Sequence, residues 1–76
     1  MKALELSGVH IGSQIRVTYK LKRKNAVEHV EQGFVIYMRH HKTLETVDIG
    51  TAKFAYHNLA TTRLQVPYYA DVEIIE

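Results

Sequence analysis

From Ile15 to Leu21, apolar and polar residues alternate without a break. Ile15, Val17, Tyr19 and Leu21 fall on one side, and Arg16, Thr18, Lys20 and Lys22 on the other. This period of two, rich in β-branched and aromatic residues, predicts a half-buried strand. The preceding "SGVHIGS" carries two glycines and reads as a loop, and "ALEL" before it as a short strand or a frayed arm. "KRKNA" is a polar turn, and Asn25 suits a positive-φ position within it. The run from Val27 to His40 is long for one strand. Gly33 in its middle marks a bulge or sharp bend. Beyond it, Phe34, Ile36 and Met38 are assigned to one face, and Val35, Tyr37 and Arg39 to the other.

The chain turns at His40-His41-Lys42 and returns as "TLETVDI", with Val47 and Ile49 inward and a break at Gly50-Thr51. "AKFAYHNL" alternates at Ala52, Phe54 and Tyr56 and reads as strand, although its alanines tolerate a helical turn. "TRLQV" is a short strand stopped by Pro67, which suits an edge or a corner. "ADVEIIE" is the last strand. Five or six short strands with turns roughly every 10 residues define an all-β fold. An immunoglobulin-type sandwich needs more residues. The length therefore points to a single domain over residues 1–76: a small, five-stranded, strongly bent barrel, with residues 1–13 as an arm or loop.

Composition narrows the rest. A chain of 76 residues buries only about 60% of the surface its unfolded form exposes. Such domains often need disulfides, a metal or partner subunits. Cysteine is absent, which removes disulfides and thiolate zinc sites, fits a reducing cytoplasmic setting and leaves self-association as the default support. Hydrophobic residues make up 46%, enough for a core. No apolar run approaches the roughly 18 residues of a membrane helix, so no membrane partner is expected. Charge is uneven. Residues 1–42 hold eight Lys/Arg against three Glu, a balance of +5, and residues 43–76 hold two Lys/Arg against five Asp/Glu, a balance of −3.

Three classes of chemistry bear on these residues. A metal site needs three or four convergent ligands. His40 and His41 are adjacent and diverge on a strand, while His10, His29 and His57 share no local spacing. No metal and no cofactor is expected. For catalysis, there is no nucleophile elbow and no phosphate loop. Glu45 and Asp48 face opposite sides of a strand, as do Glu28 and Glu31, so no carboxylate pair is evident; the chain is not expected to be an enzyme. For nucleic acid, the basic strand face at Arg16, Lys20 and Lys22, the hairpin cations Arg39 and Lys42, and five tyrosines supply the parts of a single-strand binding surface. Solvated strand faces with tyrosines at core edges account for the same residues equally well.

"GFVIYMRHHKTLETVDI" resembles the first motif of the Sm-like proteins, in which a glycine bends the second strand ahead of a hairpin loop and a descending third strand. Gly33 takes the bend position. Arg39 stands where that family usually has aspartate, and Thr43 where it usually has asparagine. His41 falls at a base-stacking position. Arg63 matches the arginine of the second motif, with Leu64 replacing its glycine. "IGSQIRVTYK" and "GFVIYMR" are also similar to strands of Src-homology-3-like ribosomal barrels. The Sm-like resemblance implies a homo-oligomeric binding module that engages single-stranded RNA. Its contacts would be His41 by stacking, Thr43 by hydrogen bonding, and Arg39, Lys42 and Arg63 by charge. The alternative is a structural, assembly or protein-interaction component with no nucleic-acid role.

Overall fold

A computed structural model describes residues 1–55 and 58–75. The protein is all-β. Five antiparallel strands, β1 (Gln14–Lys20), β2 (Glu28–His41), β3 (Thr46–Ala55), β4 (Asn58–Pro67) and β5 (Asp71–Ile74), form one sheet in the order β4-β3-β2-β1-β5. No β4–β5 pairing occurs among the described residues, so the hydrogen-bonded ladder is not closed and β4 and β5 are its edges. The expected strand over "AKFAYHNL" is divided between the end of β3 and the start of β4; Tyr56 and His57 lie outside the described residues. Among the described residues, no helix is long and apolar enough to cross a membrane.

The alternation in β1 does what its period requires. Ile15 and Val17 are buried, and Tyr19 packs against the same cluster. With Val35, Val47, Ile49, Val66, Ala70 and Val72 they form the core. Asn25 (φ 62°) turns the chain between β1 and β2, and Glu45 (φ 54°) turns it between β2 and β3.

Three local expectations change. "ALEL" is neither strand nor frayed arm. Ala3–Glu5 is a 3-10 turn, and Ala3 and Leu6 belong to the core. The backbone at its start and just before it is tied to β5 and the turn before β5 by Ala3 N–H to Ala70 O (2.8 Å) and Val72 N–H to Met1 O (2.7 Å). The "SGVHIGS" loop contains a second 3-10 turn, Gly8–His10. Second, the chain does not break at Gly50-Thr51; β3 runs straight through it. Third, the irregularity in β2 lies beyond Gly33. Ile15 still pairs with Gly33, and the register shifts between Val35 and Tyr37, which makes Ile36 the extra residue. That insertion resets the alternation. Val35 is buried and Met38 packs on the core, whereas Tyr37 and Arg39 pair with Gly50 and Asp48 on the opposite face.

Gly33 is required by close approach. A Cβ there would stand 3.0 Å from Thr51 Cβ and 3.3 Å from Ala52 O. Gly33→Val should destabilise by about 1–3 kcal/mol, as overpacking of a close contact does. Chemical denaturation checks this; an unchanged midpoint would mean that β2 and β3 can separate there without loss.

Candidate functional site

The face of the sheet opposite the core is built from three cross-strand rows. Tyr37, Gly50 and Arg63 form the first, Arg39, Asp48 and Gln65 the second, and His41, Thr46 and Pro67 the third. Directly paired residues share a face in an antiparallel sheet, so β2, β3 and β4 deliver these side chains to one surface. Tyr37, Met38, Arg39, Asp48 and Arg63 line a concavity of about 300 Å³ there.

Glycine at position 50 makes the middle of this surface possible. A Cβ on it would fall 2.0 Å from Tyr37 Cε2 and 2.2 Å from Cδ2. The tyrosine ring therefore lies against the bare backbone of β3 and covers a strand glycine with an aromatic side chain. Tyr37 remains 44% exposed, so the ring also presents surface to solvent. Other tyrosines are engaged elsewhere. Tyr19 stacks on His29 at 4.9 Å, Tyr68 meets His40 at 5.9 Å, and Lys22 Nζ sits 4.6 Å over Tyr69.

Asp48 is the electrostatic centre. It is only 5% exposed, and His41 Nε2 donates to its Oδ2 at 2.9 Å. Arg39 approaches the same His41 nitrogen at 3.5 Å. That nitrogen cannot donate to Asp48 and accept from Arg39 at once, and the shorter contact is the hydrogen bond. Accepting from His41 holds the Asp48 carboxyl below its ordinary value of 3.8. Burial opposes this, and the charges of His41, Arg63 and Arg39 reinforce it. Because the folded value is depressed, the stabilisation is present above 3.8 and is lost as pH falls through the folded value. Wild type should therefore lose stability relative to an Asp48→Asn variant as thermal melts are taken from neutral pH into acid. A difference that stays constant over that range would exclude the coupling.

The structure brings Arg39, His41 and Arg63 together around Asp48. Lys42 and Thr43 stand apart from that group, exposed in the turn between β2 and β3, and neither lines the concavity. His40 points the other way, where its Nε2 donates to the carbonyl of Leu6 at 2.9 Å. On β1, Arg16 is paired with Glu73 at 2.7 Å. Among the described residues, no three His, Asp or Glu side chains converge as a metal site would require. Sequence reasoning passed over Asp48 and the Tyr37–Gly50 contact. The available signal was a lone carboxylate in the strand run "TVDIG", across the hairpin from Arg39.

Comparison with protein-family models, with curated proteins and with solved structures finds no match. The fold and site define the protein at the level of class: a five-stranded antiparallel β domain with a cationic, tyrosine-bearing concavity on the face opposite its core.

Proposed function

We propose that this protein is a non-enzymatic module that binds single-stranded RNA through the face bearing Tyr37, Arg39, His41 and Arg63. The observation that carries the reading is the concavity itself. Two arginines flank an exposed tyrosine ring held against Gly50, and cations beside an aromatic platform suit a strand's phosphates and bases together. Lys42 and Thr43, at the hairpin tip beside His41, extend the contact. His41 serves through its hydrogen bond to Asp48 and through the imidazole edge that remains accessible.

A strongly bent barrel of the Sm-like or Src-homology-3-like kind belongs to the same proposal. Residues 68–70 alone join β4 to β5. Those four steps of chain reach about 14 Å, whereas the edges of a flat five-stranded sheet lie about 19 Å apart. A sheet joined by so short a link must curl, and Val66 of β4 and Val72 of β5 share one core cluster. The chain acts as a homo-oligomer, in a cytoplasmic setting suited to a protein without cysteine. Met1 already bonds to Val72 on β5 in both directions, while β4 has β3 as its one partner among the described strands. The β4 edge is thus the surface offered to another copy.

The test is affinity for a short single-stranded RNA at several salt concentrations, alongside mass in solution. About three phosphate contacts per subunit give a slope near −2 in log affinity against log salt, at roughly −0.7 per phosphate for single strands. Arg39→Ala and Arg63→Ala should each reduce that slope by nearly one contact's share. Absence of binding at low salt would remove the RNA reading and leave the assembly component. That rival is favoured by the open β4 edge and by exposed Val30, Ile36 and Ile74. Closed symmetric assembly is the usual form of a self-associating chain, and a mass corresponding to monomer alone at concentrations on the order of tens of micromolar would remove the oligomer.

A further inference from the structure

The two edges of the sheet are not equally open. On β5, Ile75 N–H donates to Gln14 O at 2.8 Å, one pair beyond Ile74 and Ile15 in the register with β1. Hydrogen-bonded and non-hydrogen-bonded pairs alternate along an antiparallel ladder. Asp71 and Glu73 therefore bond to β1, and Val72 and Ile74 direct their backbone groups outward. Met1 takes both outward groups of Val72, at 2.7 and 3.1 Å. Lys2 bridges to Asp71 beside them. The chain's own first residues thus cover this edge and leave only Ile74 of β5 to pair with another strand.

β4 differs. Tyr68 N–H donates to Glu45 O at 2.9 Å, one pair beyond Pro67 and Thr46 in register. By the same alternation, Thr62, Leu64 and Val66 bond to β3. Thr62 O faces that way, where it also accepts from the Thr51 hydroxyl at 3.3 Å. Thr61, Arg63 and Gln65 then direct N–H and C=O away from the sheet. Pro67 shares their outward phase, the one place on an edge strand where a missing N–H costs no ladder bond. Past Pro67 the edge is covered, by Leu4 N–H to Tyr68 O (3.2 Å) and Ala3 N–H to Ala70 O (2.8 Å). The open length is therefore the stretch around residues 61–65, where Thr61, Thr62, Arg63 and Gln65 are exposed. A row of outward backbone groups is a template for another strand. A head-to-tail ladder onto a neighbour's β5 would meet Ile74 alone, whereas a second β4 offers Thr61, Arg63 and Gln65 in return.

We infer that two copies of this chain join β4 to β4 as an antiparallel, two-fold symmetric pair whose axis passes beside Thr62, so that Thr61 of each copy lies opposite Arg63 of the other. The inference rests on the homo-oligomer reading and names its geometry: an isologous dimer, not a ring closed through β5. Charge sets the register. An axis beside Arg63 would place that arginine opposite itself, and like charges directly opposite are destabilising. An axis moved on to Leu64 would bring Pro67 into the ladder, where it has no N–H to give. With the axis at Thr62, both copies turn the face bearing Tyr37 and Arg39 the same way. The two Arg63 side chains become diagonal neighbours, about 7–8 Å apart, and each concavity gains the partner's cation along its β4 side.

The chain contains no cysteine, so single-cysteine variants of the full chain report the pairing directly. Light scattering on wild type at concentrations on the order of tens of micromolar should give twice the chain mass, as a closed two-fold pair does. Thr62→Cys lies opposite itself at a non-hydrogen-bonded pair, where Cα atoms are about 4.5 Å apart, within the range of about 4.4–6.8 Å that a disulfide spans. Mild oxidation should convert most of it to a covalent dimer. Gln65→Cys is the register control, because six residues separate it from its copy along the strand, roughly 20 Å at 3.4 Å per residue, and it should stay uncrosslinked. Thr61→Pro removes an outward N–H without touching the ladder to β3, and should halve the mass while the far-ultraviolet circular dichroism stays that of a β protein. A wild-type mass of monomer would overturn the dimer and the homo-oligomer reading together. A mass above that of a dimer would overturn the two-fold pair and leave the oligomer standing. So would a dimer in which Thr62→Cys stays uncrosslinked, a result that does not depend on the proline variant folding. Cross-linking of Gln65→Cys as readily as Thr62→Cys would overturn the register.

Discussion

Ile49→Ala should remove a large share of the stability of this protein. Ile49 is fully buried on β3, which is hydrogen-bonded to strands on both sides, and its side chain lies in the core cluster. Truncating a buried isoleucine costs about 2–5 kcal/mol, the lost transfer energy plus the cavity left behind. A domain of 76 residues has roughly 4–11 kcal/mol in total at ordinary values per residue. The variant should therefore show a much lower urea midpoint with an unchanged slope, and a melting point lower by about 10 °C or more. Ile36→Ala is the control. Ile36 is the extra residue of the bulge and is 44% exposed, so its truncation should move the midpoint only slightly. If the two variants melted alike, the division between core and outer face would be wrong.

That division was partly readable from residue order. In β1 each apolar residue is separated by a polar one, so a single pattern states both strand and facing, and Ile15 and Val17 are buried accordingly. In β2 the run Val35-Ile36-Tyr37-Met38 has no polar residue to mark the face. The extra residue is invisible in such a run, and assigning the bend to Gly33 puts Val35 and Tyr37 on the same side. The N-terminal turn was hidden for a different reason. Three residues of 3-10 helix carry no periodicity, and the burial of Ala3 and Leu6 depends on Ala70 and Val72, almost the whole chain away. Arg39, His41 and Arg63 could be singled out as cations, yet the group that organises them could not. Alternation alone sends Asp48 outward into water. It is buried because β2 and β4 place Tyr37, Arg39 and Arg63 around it, and no local pattern records that arrangement.

The contact between Tyr37 and Gly50 separates binding from folding most sharply. Valine at position 50 suits a strand by backbone preference, and the glycine has no positive φ that a side chain would strain. Its Cβ nevertheless falls within 2.0 Å of the tyrosine ring, so the ring must leave. What gives way is the free end of a side chain that is already 44% exposed, and rotation about χ1 can accommodate it. Gly50→Val should thus leave the unfolding midpoint near that of wild type. RNA affinity should fall by about 1–3 kcal/mol, the range for losing one base-stacking platform. Tyr37→Ala removes the same platform directly and should cost a similar amount. Because both changes act on one ring, the double variant should bind about as weakly as either single one. Independent sites would instead add their effects. Anisotropy measurements on the four proteins complete the cycle. Full additivity would show that Gly50 and Tyr37 act separately, and unchanged affinity in both single variants would move RNA recognition off this face of the sheet.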